Sequence, residues 1–188
     1  IMSDELITRT LKLISEIKDR DQKILPLHKM LIDKVNHLPD PDIDPEAKTG
    51  SVKKDDSFTA YGALVNGSAT SEGYALALKA LCDLSGINCH VIRGRLNGVS
   101  HCWNLVQTEG GWYHVDAYQD DLTDSEDYLL KTDDQMSEAS YKWSDILYPA
   151  SSGPELSVAS TSSAATASEN IEDTEAVEAF ETIDSTNV

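Results

Sequence analysis

The sequence predicts an α+β domain with N-terminal helices packed on an antiparallel β-sheet. Three observations carry that reading. Up to about residue 84, apolar residues recur at three- and four-residue spacing, the period of one helix face. From Ile87 to Tyr118 they alternate and are rich in β-branched and aromatic types, as in half-buried strands. The last two strand-like runs are joined by Glu109-Gly110-Gly111, a hairpin turn signal. Helices followed by a meander make an α+β arrangement rather than alternating βα units.

Ser3 caps a first helix, with Asp4 and Glu5 in its first turn, where negative charge is favoured. Leu6, Ile7, Leu11, Ile14 and Ile17 form its apolar side. A second helix covers roughly Asp21 to Asn36 through Ile24, Leu27, Leu31 and Val35, with Pro26 tolerated in its first turns. From Pro39 to Ser57, three prolines and mixed charges read as a long loop. A short helix over Thr59–Val65 ends near Asn66-Gly67. A strong helix then runs from Ser71 to Leu84, with Leu76, Ala80, Leu81 and Leu84 as its buried stripe and Gly86 as its stop. Strands follow over Ile87–Arg95, Ser100–Gln107 and Gly111–Tyr118.

The chain has 188 residues and a net charge of −18, which argues against nucleic acid and anionic membrane surfaces as partners, since both would be repelled. From Ala150 to Val188 there are eight acidic residues and no Lys or Arg, leaving −10 on the first 149 residues. That segment is rich in Ser, Thr and Ala, so it reads as an acidic linker or tail, with the domain over residues 1–149 and its core over 20–149. Ala176, Val177, Phe180 and Ile183 give the tail one short amphipathic stripe that could dock as a helix. No run reaches the ~18 apolar residues of a membrane span, and the polar start carries no signal peptide. The Ile before Met reads as a processed fragment, so that absence leaves the compartment open. Cys82, Cys89 and Cys102 are an odd set without metal-ligand spacing, and read as small buried hydrophobes. No cofactor or metal is expected. Asp120, Asp121 and Asp124 read as a solvated acidic turn rather than a calcium loop, and His28, His37, His90 and His114 have no partner pattern.

The chemistry concentrates between Gly62 and Asp121. Strand alternation puts His101, Trp103 and Leu105 on one face and Cys102, Asn104 and Val106 on the other. Trp112, His114, Asp116 and Tyr118 share a face of the next strand. Pairing across the Glu109–Gly111 turn makes His101 and Asp116 neighbours, so the carboxylate can orient the imidazole and stabilise its charged form. A nucleophile is then needed at the start of the helix packed on this sheet. There the positive end of the helix dipole and unpaired amides lower a thiol pKa and contribute to an oxyanion hole.

These segments resemble the bacterial transglutaminase-like superfamily, whose members share a papain-like α+β core. The likeness covers about residues 20–149. It rests on Gly73-Tyr74-Ala75 at the helix start, His101-x-Trp103-Asn104, and Trp112-Tyr113-x-Val115-Asp116 followed by Asp120. It is supported by the Gly62–Gly67 lead-in and by Trp143 and Tyr148-Pro149. The resemblance implies a Cys-His-Asp triad acting on a peptide, protein or amide substrate, by transamidation or by peptide or amide hydrolysis. It places the nucleophile at Ser71, the general acid/base at His101 and the orienting carboxylate at Asp116. Tyr61 is a candidate oxyanion donor and Trp103 a candidate substrate contact, core packing being the alternative for Trp103.

The departure is Ser71, where the family has cysteine. A hydroxyl is not ionised near neutral pH and forms no thiolate–imidazolium pair, so the site as it stands should be inactive or nearly so. Three readings stand: an introduced cysteine-to-serine change, a natural pseudoenzyme, or a serine hydrolase. The pseudoenzyme reading makes the domain a binding module for a peptide or glycan at a cell surface. The tail, read as a spacer to a neighbouring domain, favours an extracellular or cell-surface setting and leaves a cytoplasmic one open.

Overall fold

A computed structural model describes residues 8, 12, 14–19, 21–40, 55–151, 153, 154 and 156. The chain divides into units Ile1–Val158 and Ala159–Val188, the second wholly outside the described residues. Most of the expected first helix, most of the Pro39–Ser57 loop and the 176–183 stripe also lie outside them.

Helix α1 (Ile24–Lys34) follows a 3-10 turn at Asp21–Lys23 and buries Ile24, Leu27, His28, Met30 and Leu31. Strand β1 (Asn36–His37) pairs in parallel with β2 (Ser68–Ala69). The short helix expected before Gly67 is a π-helical turn, Gly62–Asn66, and Gly67 closes it with φ +71°. Helix α2 runs Ser71–Leu84. Strands β3 (Cys89–Leu96), β4 (Val99–Thr108) and β5 (Gly111–Val115) form the meander. Asn97 and Gly98, both at positive φ, make the two-residue turn between β3 and β4. Helix α3 (Ala117–Thr123), β6 (Leu129–Lys131), α4 (Asp133–Glu138) and β7 (Tyr141–Lys142) complete the domain. The sheet order is β6-β5-β4-β3-β7, with every neighbouring pair antiparallel.

Each face of the sheet carries a core. Val106, Tyr113 and Val115 pack with α1 and α2 residues in the larger cluster. Ile92, Trp103, Leu105, Met136 and Tyr141 form the smaller one beneath α4. Fully burying each such side chain contributes on the order of 1.5–3 kcal/mol. The chain also continues into the domain past residue 149. The Ser151 amide donates to Asp133 Oδ2 at 3.0 Å, Tyr113 donates to the Pro154 carbonyl at 2.9 Å, and Leu156 packs on the core.

Two expected faces are corrected. On α2 the buried stripe is Tyr74, Ala77, Leu78, Leu81 and Cys82; Leu76 and Ala80 are half-buried and Leu84 is exposed. The helix is fixed in rotation by its N-terminus. Tyr74 Oη donates to the Val35 carbonyl and Asp121 Oδ2, both at 2.6 Å. Gly73 presses against the Ser57 carbonyl and Ala69. A Cβ there would lie 2.7 Å from Ala69 Cβ, so Gly73→Ala should cost about 1–3 kcal/mol, read as a lower urea midpoint. The second correction concerns the third meander strand, which ends at Val115 because Asp116 caps α3 by accepting from the Gln119 amide at 3.0 Å. Tyr118 is therefore a helix residue, its hydroxyl donating to the Leu38 carbonyl.

Candidate active site

Ser71 is the first residue of α2, behind an extended Thr70, and is 2% exposed. Its Oγ accepts from the Cys102 amide at 3.1 Å. Its own amide donates to Asp40 Oδ1 at 2.9 Å. The other oxygen of Asp40 lies 3.0 Å from His101 Nδ1. On the far side of the ring, His101 Nε2 lies 2.6 Å from Asp116 Oδ2. Among the described residues, Ser71 Oγ makes no hydrogen bond to His101. A single carboxylate, that of Asp40, bridges the two instead.

Asp116 is 1% exposed and fully engaged. Its Oδ1 caps α3 while Oδ2 takes His101 and the Tyr141 hydroxyl, the latter at 2.8 Å. Burial, reinforced by the Asp116 charge, raises the Tyr141 pKa, so the phenol remains a donor. For His101, burial alone disfavours the charged ring, but the carboxylates of Asp116 and then Asp40 outweigh it and push the pKa up to about 10. The ring is an imidazolium at neutral pH.

Trp103 is 1% exposed and stacks behind His101 at 6.1 Å between ring centroids. Its indole donates to His114 Nδ1 at 2.9 Å, and His114 Nε2 meets Asp133 Oδ1 at 2.7 Å. Burial lowers the His114 pKa, in keeping with a neutral ring that accepts on one nitrogen and donates on the other. Trp103 thus belongs to the wall behind the imidazole rather than to a substrate surface. Tyr61 is 56% exposed and outside the cavity that Ser71 and His101 line.

That cavity, of about 510 Å³, is also lined by Asp40, Glu72, Arg93, Arg95, Cys102, Lys142 and Trp143. Cys102, expected as a buried hydrophobe, is only half-buried and is among the residues lining the cavity, where its amide donates to Ser71 Oγ. Cys82 and Cys89 are buried, in keeping with their expected role as small hydrophobes.

The acidic turn is also corrected. Asp120 is fully buried, its Oδ2 at 2.9 Å from His28 Nε2 and its Oδ1 accepting from the Tyr128 amide at 2.8 Å. Asp121 accepts from Tyr74 and faces His37 Nδ1 at 3.0 Å. These side chains anchor α3 to α1, α2 and β1, and no group of acidic, His or Cys side chains among the described residues could hold a metal. Asp40 and Tyr141 escaped sequence reasoning. Asp40 sits in a Pro-Asp-Pro-Asp run with no periodicity, 31 residues from one partner and 61 from the other.

The family model described as the transglutaminase-like superfamily matches residues 10–117, more than half of the chain. The chain belongs to the transglutaminase-like superfamily. Its α+β, papain-like fold is that of the superfamily, as the motif likeness implied. No curated protein matches the chain. Solved structures similar to it include a proposed cysteine protease from Cytophaga hutchinsonii, with 19% identity and a TM-score of 0.44, covering 63% of this chain and 40% of that one. A structure described as a TGase has 16% identity and a TM-score of 0.46, covering 61% of this chain and 31% of that one. The periplasmic domain of TgpA from Pseudomonas aeruginosa has 15% identity and a TM-score of 0.41, covering 66% and 45%. The match spans less than half the length of each of these three structures.

Proposed function

We propose that this transglutaminase-like domain is built for thiol acyl transfer or for hydrolysis of an amide or peptide bond, and that with Ser71 in the nucleophile position it is inactive or nearly so. The observation that carries this is the state of His101. Both ring nitrogens face carboxylates, which favour the charged ring, and a charged ring has no lone pair to take the Ser71 proton. A thiol at the same position would ionise beside an imidazolium and need no base. Its sulfur would attack the carbonyl carbon, and His101 Nδ1, released by Asp40, would pass its proton to the amine as the C–N bond breaks; water or a second amine, giving its own proton back to His101, would then release the acyl group and the thiolate. Asp116 holds the ring in orientation throughout.

The test is Ser71→Cys. Its thiol should react with iodoacetamide at pH 6 on the order of 10²-fold faster than the native cysteines, since at that pH only an acidic thiol is ionised. His101→Ala in that background should abolish the difference. Equal labelling rates, or turnover of an amide panel by the Ser71 protein, would overturn the proposal.

A second reading is favoured by Asp40. With no thiol present, its carboxylate supplies the negative partner that His101 Nδ1 needs, and it also satisfies the first amide of α2. A site complete without sulfur suits a natural pseudoenzyme that keeps its cleft for binding a peptide or glycan. Restored amide turnover in Ser71→Cys would count against this reading.

A further inference from the structure

We infer that the cleft beside Ser71 selects an acidic peptide, and that Arg95 and Lys142 are the residues that read its carboxylates. The chain has 33 acidic and 15 basic residues, yet three cations, Arg93, Arg95 and Lys142, line this one cavity. The carboxylates that share it are committed. Asp40 is held by His101 and the Ser71 amide, and Glu72 Oε1 takes Arg93 at 3.0 Å. Arg95 donates to the Gly98 carbonyl at 2.7 Å, and neither Arg95 nor Lys142 meets a carboxylate among the described residues.

The second observation is the register. Arg95 and Lys142 are directly opposite each other across the β3–β7 pair, and Ser100 faces Arg95 from β4. Like charges in register across a strand pair are destabilising. In a protein of net charge −18, acidic residues are plentiful in composition, yet among the described residues no carboxylate pairs with either of these two cations. A locally unfavourable pair beside a cleft is where a binding function is expected. The two cations provide a focused positive potential within a negative molecule, which an acidic ligand enters and a basic one does not. Trp143, whose ring packs on Trp103 and His114, also lines the cavity and offers a surface for the aliphatic part of a Glu side chain. The ligand class is therefore a peptide that lays an Asp or Glu side chain next to its reacting or bound amide. The inference rests on the proposal that this cleft takes an amide or peptide.

The test uses the full chain with Ser71 in place and two fluorescent pools of random hexapeptides. One pool carries Glu or Asp at alternate positions and the other the isosteric Gln or Asn. Anisotropy titrations should show the acidic pool bound at least 10-fold more tightly. Arg95→Glu with Lys142→Glu, at one half-buried and one exposed position, with the fold checked by circular dichroism, should abolish or reverse that preference. Equal binding of the pools, binding of neither, or a preference that survives the charge reversal would overturn the inference. Tighter binding of an oligogalacturonate than of the acidic pool would overturn it in favour of an anionic glycan. A fast Ser71→Cys thiol with no acidic preference removes this inference and leaves the proposed function standing. The opposite pair of results removes the thiol reading and keeps the ligand class.

Discussion

Replacing Asp116 by alanine is expected to destabilise the domain by about 3–5 kcal/mol, the cost of leaving a buried charge without its partner. The carboxylate is 1% exposed and is the meeting point of three separate elements. It caps α3 through the Gln119 amide, holds His101 from β4, and accepts from Tyr141 on β7. Its removal leaves His101 Nε2 and the Tyr141 hydroxyl without their buried acceptor and uncaps a helix. Urea unfolding followed by Trp fluorescence measures the loss, and a change below about 1 kcal/mol would show that the network is decorative. Asp116→Asn separates charge from shape. It keeps the cap and one polar contact but removes the attraction that favours the charged ring, so it should cost less stability and still lower the His101 pKa.

The central helix and the three strands of the meander are legible in the sequence because their signals are local. Ser71 to Leu84 carries its own start and stop, and the Glu109–Gly111 turn fixes the register that brings Asp116 to the end of the strand beside His101. The rotation of α2 is not local. Leu76 and Leu84 are as apolar as Leu78 and Leu81, and the contacts of Gly73 and Tyr74 with distant segments choose between the two sets. The end of β5 was legible but outweighed. Asp116 followed three residues later by Gln119 is a helix-start pattern, yet the alternation through Tyr118 favours a longer strand. Asp40 is the deeper omission. Its contribution comes from where the fold brings Asp40 after β1, and nothing in the spacing of Asp40 to Ser71 or His101 encodes that approach. Asp120 and Asp121 show the same limit, for adjacent residues that look like one solvated cluster serve as separate anchors to α1 and α2.

His101 should remain protonated through neutral pH and lose its proton only near pH 10. The sign for stability follows from a folded-state pKa above the unfolded value of about 6.5. The ion pairs stabilise fully below about pH 6.5, and their contribution is lost as the pH rises through about 10. A midpoint near 10 for the His101 ring resonances, with a parallel fall in urea midpoint that His101→Gln lacks, is the expected result. A ring that titrates near 6.5 would remove the argument that Ser71 lacks a base. Asp40→Asn distinguishes the two carboxylates. It should bring the midpoint down toward neutrality while Asp116 still holds the ring, because Asp40 supplies only part of the stabilisation. If Asp40→Asn leaves the midpoint near 10, Asp116 alone sets the charge, and the bridge from Asp40 to Ser71 serves α2 and not the imidazole. The same titration bounds the chemistry of the Ser71→Cys protein, whose thiolate–imidazolium pair should survive to the alkaline limit set by His101 and fail above it.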